Sequence, residues 1–119
     1  MQVSPHIARN FETTLERNAV DVSILIVNWN TCQYLRECLQ SIQRTVKGLE
    51  IEVIVVDNAS MDGSAGMVRS EFPWAILVAS SENVGFARGN NLALSHASGE
   101  YVLVVNPDVV LLDGTLEGL

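Results

Sequence analysis

The stretch "IEVIVVDNAS", residues 51–60, decides how this chain is read. Residues 53–56 are apolar without a polar interruption, and most are β-branched. A strand with one wet face alternates apolar and polar residues. A continuous apolar run of this length marks a strand buried on both faces, as in parallel sheets covered by helices. The predicted strand, residues 52–56, closes at once on Asp57-Asn58-Ala59-Ser60. A carboxylate there can accept hydrogen bonds from a ribose or a base N–H. It can equally close an Asx-turn or cap the next helix, and the stretch alone leaves both readings open.

The same pattern recurs along the chain. "VSILIVNWN" gives a strand over 22–27 ending on Asn28-Trp29-Asn30, and "AILVA" a strand over 75–79 followed by polar sequence from Ser80 to Arg88. Residues 101–105 form a fourth strand ending on Asn106-Pro107-Asp108, and 109–112 predict a short fifth. Between the strands lie stripes at helical spacing. Leu35, Cys38, Leu39, Ile42 and Val46 form the first, with Asn30 or Thr31 as N-cap. Met61, Ala65, Val68 and Phe72 form the second, with Ser60 as cap and Pro73 as stop. Phe86, Asn90, Ala93, Leu94 and Ala97 form the third, ended by Gly99. The alternation predicts right-handed βαβ units in an α/β fold: a mostly parallel sheet with helices on both faces. Ligands bind such sheets beyond the carboxyl ends of the strands. The polar clusters all follow strands, so they converge on that edge.

A chain of 119 residues is one domain at most. Residues 1–21 are mostly polar, with Ile7, Phe11 and Leu15 in i, i+4, i+8 register, and read as an extension or short helix outside the core. Residues 22–119 form the domain. "LDGTLEGL" reads as Asp113 capping a helix, which predicts the N-terminal piece of a longer protein. The net charge of −7, with 7 basic against 14 acidic residues and no Lys/Arg cluster, argues against nucleic acid as a partner. An anion must be gripped locally, by backbone N–H groups, one Arg or a bound metal. Cys32 and Cys38 do not share a helix face, so a disulfide between them is geometrically poor. Reduced thiols of a cytoplasmic protein are expected. No apolar run approaches the ~20 residues of a membrane span, and no signal peptide is evident. Peripheral contact at the inner face of the membrane, through other parts of a longer protein, stays compatible with this. An open sheet edge predicts self-association.

Several nucleotide folds are disfavoured. "NWNTCQ" lacks the glycines of a dinucleotide fingerprint, and no G-K-[ST] marks a P-loop. A receiver-type domain needs an acidic pair after its first strand, where Asn28 and Asn30 stand. Trp29 could stack on a base or simply pack. Arg88, the only Lys or Arg after Arg69, lies among Gly85, Gly89, Asn90 and Asn91, where it could pair with phosphate at a helix N-terminus or stay solvated. Asp108 suits Mg²⁺ or Mn²⁺, which take oxygen ligands and often only one or two protein carboxylates, with substrate phosphates completing the shell. A plain Asn-Pro-Asp turn is the other reading. His6 and His96 have no assigned role.

In order, "VSILIVNWN", "YLRECLQSI", "IEVIVVDNASMDGS", "ENVGFARGNNLAL" and "ASGEYVLVVNPDVVLL" resemble the nucleotide-binding half of the family-2 glycosyltransferases, enzymes of GT-A fold. The resemblance covers residues 22–119, and the forms at 83–91 and 106–108 are most similar to rhamnosyltransferase-type members. It implies donor-nucleotide roles for Val27 and Trp29, with Trp29 bordering the base, and for Asp57 and Asn58 at the base and ribose. Gly85, Arg88 and Asn91 would lie beside the diphosphate. Asp108 matches the last Asp of the D-x-D metal motif, and Asn106 replaces the first as a weaker, neutral ligand. Asn58 likewise stands where a second acid often reads the base.

The implied reaction is inverting, metal-dependent transfer from a nucleotide-diphosphate sugar to a hydroxyl of a saccharide, a lipid-linked or another acceptor, as in cell-surface polysaccharide synthesis. The general base is expected downstream of these residues, so this piece would hold donor and divalent cation without turnover. The competing reading is a catalytically inactive glycosyltransferase-like scaffold that binds protein, to which Asn at both motif positions lends support.

Overall fold

The computed structural model describes residues 6–9 and 19–116. Its elements run β1 (His6–Arg9), β2 (Val22–Asn28), α1 (Cys32–Thr45), β3 (Ile51–Asn58), α2 (Ser64–Glu71), β4 (Ile76–Ser80), α3 (Gly85–Leu94) and β5 (Tyr101–Val104). They form one sheet of order β1-β5-β2-β3-β4. The strands β5, β2, β3 and β4 are parallel, and β1 is antiparallel to β5 at the edge. The α/β fold with helices on both faces is as expected. The N-terminal segment is not: residues 6–9 are an edge strand rather than part of a helix, while Phe11 and Leu15 lie outside the described residues.

Alternation within the buried strands assigns the helices to faces. Ile24, Ile26, Val53, Val55, Leu103 and Val105 point to one side, where Leu35, Cys38, Leu39 and Ile42 of α1 and Met67, Val68 and Phe72 cover them. Leu25, Val27, Ile54, Val56 and Val102 point to the other, against Ala93 of α3. Each such aliphatic side chain contributes roughly 1.5–3 kcal/mol by leaving water. The register sets the strand ends level: Asn28 pairs with Asp57 and Asn58 with Ser80.

Four expectations are corrected. The second helix begins at Ser64 after Gly63, not at Ser60, and Met61 is 94% exposed. The residues between are bent around the carboxylates of Asp57 and Asp62, as described below. The third helix turns Gly89 and Ala93 to the sheet, not the larger Phe86 and Leu94, which are exposed. Small residues there let the helix approach closely: a Cβ on Gly89 would lie 2.8 Å from Val27 Cγ1.

Gly99 does not end α3; Ser95 does. Gly99 instead packs where a Cβ would sit 2.6 Å from the Ser23 backbone nitrogen. Its N–H donates to Ser23 Oγ at 2.8 Å, and that hydroxyl donates to Glu52 Oε2 at 2.6 Å. The Glu52 carboxylate also accepts from the Ser98 N–H, so it ties the entry of β5 to β2 and β3 at the end of the sheet away from the polar clusters.

Residues 109–112 are not a strand, and Asp113 begins a turn within the described residues. The apolar sequence after Asp108 crosses to α1, burying Val109, Leu111 and Leu116 in the same cluster as Leu35 and Leu39. The Leu111 N–H, lacking a ladder partner, donates to Ser41 Oγ at 2.9 Å. Apolar residues therefore resume at 109 because this arm is core, not sheet.

Candidate functional site

At the carboxyl ends of the parallel strands the polar residues divide into a buried tier and an exposed one. Asn28, Asp57 and Asn58 are all at most 3% exposed. Burial of such groups is tolerable only when they are hydrogen-bonded, and each is. Asp57 Oδ1 accepts from Asn28 Nδ2 at 3.0 Å and from Ser60 Oγ at 2.7 Å, and Oδ2 accepts from the Ser60 N–H at 3.0 Å. Ser60 Oγ in turn accepts from the Asn30 N–H at 2.9 Å, and Asn30 Oδ1 accepts from the Met61 N–H at 2.8 Å. Thr31 Oγ1 donates to Asn28 Oδ1 rather than capping α1. The Asx-turn reading of Asp57 is therefore realised. It uses three of a carboxylate's roughly four acceptor positions, leaving Oδ2 room for one more donor. The turn forces Ala59 to φ 61°, a left-handed conformation that costs a non-glycine residue about 1–2 kcal/mol.

Asp62 was not singled out from the sequence, yet it joins two helix starts. Its Oδ2 accepts from the Cys32 N–H, the first of α1, at 2.9 Å, and its Oδ1 accepts from the Ser64 N–H and hydroxyl at the start of α2. One carboxylate thus supplies the cap that the side chains of Thr31 and Gly63 do not. Desolvation pushes the Asp62 carboxyl up, but the bonds from the Ser64 hydroxyl and the Cys32 and Ser64 N–H groups outweigh it and hold the carboxyl below its usual range. The Asp-Gly-Ser spelling at 62–64, an Asx-turn pattern before a helix, is the signal that could have found it.

The exposed tier comprises Trp29, Arg88, Asn91, Asn106 and Asp108. Trp29 is 55% exposed on the β2–α1 loop. Among the described residues the side chains of Trp29, Arg88 and Asp108 have no hydrogen-bond, ion-pair or ring partner. Asp108 sits on a corner anchored at both stems: the Val105 N–H donates to Leu25 O at 2.9 Å, the Val109 N–H to Asn106 O at 3.1 Å, and Leu111 is tied to α1. The corner lies near the inner face of α1. Burial pushes the Cys38 thiol up to about 12, and the Asp108 charge adds to that rise.

Of the other residues expected here, Val27 turns its side chain under Gly89, so only its backbone remains near the edge. Asn58 is enclosed: its Nδ2 donates to Gly85 O at 3.1 Å and its Oδ1 accepts from the Val84 N–H at 3.4 Å. Its amide therefore faces the loop before α3 rather than the open edge. Among the described residues no trio of His, Cys, Asp and Glu could hold a metal unaided. One exposed carboxylate beside a neutral amide oxygen fits a hard divalent cation only where a phosphate shares it. No described helix is long and apolar enough to cross a membrane.

Residues 23–119 match the family model described as glycosyl transferase family 2. The chain belongs to that family. This family-2 glycosyltransferase chain is 36% identical over 90 residues to glycosyltransferase GlyA of Streptococcus pneumoniae, covering 73% of this chain and 13% of that one. It also resembles solved structures. Staphylococcus aureus TarS 1-349 in complex with UDP superposes with a TM-score of 0.75 at 28% identity, covering 82% of this chain and 30% of that one. The mannosyltransferase PcManGT of Pyrobaculum calidifontis, in complex with GDP-Man and Mn²⁺, gives 0.72 at 32% identity, covering 83% and 32%. The chain spans about a third or less of the length of each. These neighbours agree with the GT-A expectation for the fold.

Proposed function

We propose that this chain carries the donor half of an inverting, metal-dependent glycosyltransferase, holding a nucleotide-diphosphate sugar at the carboxyl edge of its parallel sheet. The observation that carries the reading is the exposed tier. Among the described residues, the side chains of an aromatic, an arginine and an aspartate stand exposed without partners beside a buried, hydrogen-bonded tier. Unpaired groups of complementary kinds on a rigid support suit a ligand with a base, a diphosphate and a shared cation. Trp29 stacks on the base, and the spare Oδ2 position of Asp57 accepts from base or ribose. Arg88 and Asn91, beyond Gly85 on α3, face the diphosphate. Asp108, with Asn106, would hold the divalent cation.

A Mg²⁺ or Mn²⁺ ion bound there supplies charge neutralisation for the departing nucleoside diphosphate. The residues of this chain do the rest of the donor's positioning; the general base that takes the proton of the acceptor's hydroxyl is not among the residues assigned here. The structural neighbours bound to UDP and to GDP-Man with Mn²⁺ support a nucleotide-sugar donor and a divalent cation. The Asn-Pro-Asp and Asn83-to-Asn91 forms favour a rhamnosyl-type donor within that class.

The test is calorimetric titration of the chain with UDP-GlcNAc, GDP-mannose and dTDP-rhamnose, each with and without Mn²⁺. Weak, Mn²⁺-dependent binding without turnover is expected, strongest for dTDP-rhamnose. Absence of binding to all three would favour the inactive-scaffold reading, for which Asn106 in place of an acid is the supporting observation.

A further inference from the structure

We propose that Asn58 is a positioning residue that fastens the 81–84 loop and the start of α3 to the end of β3, and that an amide, not an acid, is required there. Asn58 is 2% exposed, so it reads the loop and not the solvent. Its two polar atoms meet complementary backbone groups: Nδ2 donates to Gly85 O at 3.1 Å, and Oδ1 accepts from the Val84 N–H at 3.4 Å. Reversing the amide would set donor against donor and acceptor against acceptor, so this orientation alone satisfies both. Gly89, one turn on, leaves the space the amide fills, since a Cβ there would lie 3.3 Å from Asn58 Nδ2. Gly85 holds φ at 86°, a conformation that glycine adopts freely. Gly85 is the first residue of α3, so the latch sets where the helix begins and from where Arg88 emerges.

A carboxylate at 58 could still accept from Val84, but it would face the Gly85 carbonyl with no proton to give. At this burial two opposed acceptors are worse than a missing bond. An acid at this place would therefore weaken the site. The functional half of the proposal rests on the donor reading above; the latch itself rests on geometry alone.

Asn58→Asp and Asn58→Ala test both halves. Hydrogen exchange of the segment 80–88, followed by mass spectrometry, reads the latch with no ligand present. Titration with UDP or dTDP in the presence of Mn²⁺ reads the site. At pH 8 both variants should exchange faster in this segment and bind nucleotide more weakly than the native chain, by about tenfold for one buried hydrogen bond. A pH series separates positioning from general destabilisation. Burial raises the pKa of an introduced carboxyl, and once protonated it regains a donor for Gly85 O. The charged groups on the neighbouring elements are Asp57 and Glu52 on β3, the latter at the far end of the strand where it is bonded to Ser23 and Ser98, Glu82 on the loop and Arg88 on α3; β2 and β4 carry none.

On acidification to about pH 5, the Asn58→Asp deficit, measured against the native chain at the same pH, should close in both assays. The Asn58→Ala deficit should persist. If Asn58→Asp matches the native chain at pH 8, or its deficit is the same at both pH values, the proposal is wrong. If the native chain binds no nucleotide, the donor reading fails, the site role falls with it, and exchange alone decides the latch.

Discussion

Replacing Gly99 with alanine should be among the most damaging single-methyl additions to this domain. An ideal Cβ there lies 2.6 Å from the Ser23 nitrogen, 2.7 Å from Ser23 Oγ and 2.9 Å from the Val22 carbonyl carbon. Two of those atoms are backbone of β2, the strand held between β5 and β3, so no flexible side chain can yield. Relief requires β5's entry to move away from β2, which breaks the 2.8 Å bond from the Gly99 N–H to Ser23 Oγ.

Overpacking of this kind costs about 1–3 kcal/mol, and the lost bond to a fully buried hydroxyl about 1 more. A total of about 3 kcal/mol is a large share of the ~5–15 kcal/mol that holds a domain folded. For ~100 residues it lowers Tm by roughly 12–24 °C. Thermal and urea unfolding followed by circular dichroism measure it. Gly66→Ala is the control: it sits exposed within α2, meets nothing within 4 Å, and has no positive φ. That change should stabilise by about 0.5–1 kcal/mol. A Gly99→Ala Tm within a degree or two of the native value would refute the close-packing account, as would equal effects at the two glycines.

Two further outcomes follow from the polar anchors. Ser41→Ala removes the acceptor of the buried Leu111 N–H, so it should cost about 1–3 kcal/mol and speed hydrogen exchange at Leu111 ahead of the strands. Asp62→Ala should cost about 1 kcal/mol, as for loss of a helix cap, and fray the starts of both α1 and α2 in exchange experiments. The Asp62 carboxyl is held below its usual range in the folded chain, so its contribution is fully present above the ordinary carboxylate pKa near ~4. It is lost as pH falls through the lower folded value. The stability gap between native and Asp62→Ala chains should therefore be constant from neutral pH to about 5 and shrink below about 4.

The parallel strands and the edge on which their polar ends gather were legible because burial on both faces writes a simple signature. Ile24 and Ile26 serve one face while Leu25 and Val27 serve the other, so every position is apolar. The helix faces were harder to read. Phe86 and Leu94 looked like a core stripe by size, but α3 packs through Gly89 and Ala93 because closeness to the sheet matters more there than bulk. The second helix begins at Ser64 because Asp57 and Asp62 draw the intervening backbone into turns, a competition that apolar spacing does not record. At the carboxyl edge, residue types showed that polar groups follow the strands. They did not show that Asn58 would be turned inward while Trp29 and Asp108 stay free, since that depends on which neighbours reach each group first.

A donor site with a shared cation is tested most directly by the Mn²⁺ dependence of nucleotide-sugar binding in the native chain and in Asp108→Ala. Asp108 is exposed and without a hydrogen-bond or ion-pair partner among the described residues, so its removal should leave the unfolding transition within about 0.5 kcal/mol of native. Titration with dTDP-rhamnose or UDP-GlcNAc should show binding strengthened by Mn²⁺ in the native chain. In a folded Asp108→Ala chain the Mn²⁺-dependent part should be lost. Binding that is unaffected by Mn²⁺, or that survives the substitution with its Mn²⁺ dependence intact, would contradict the shared-cation site.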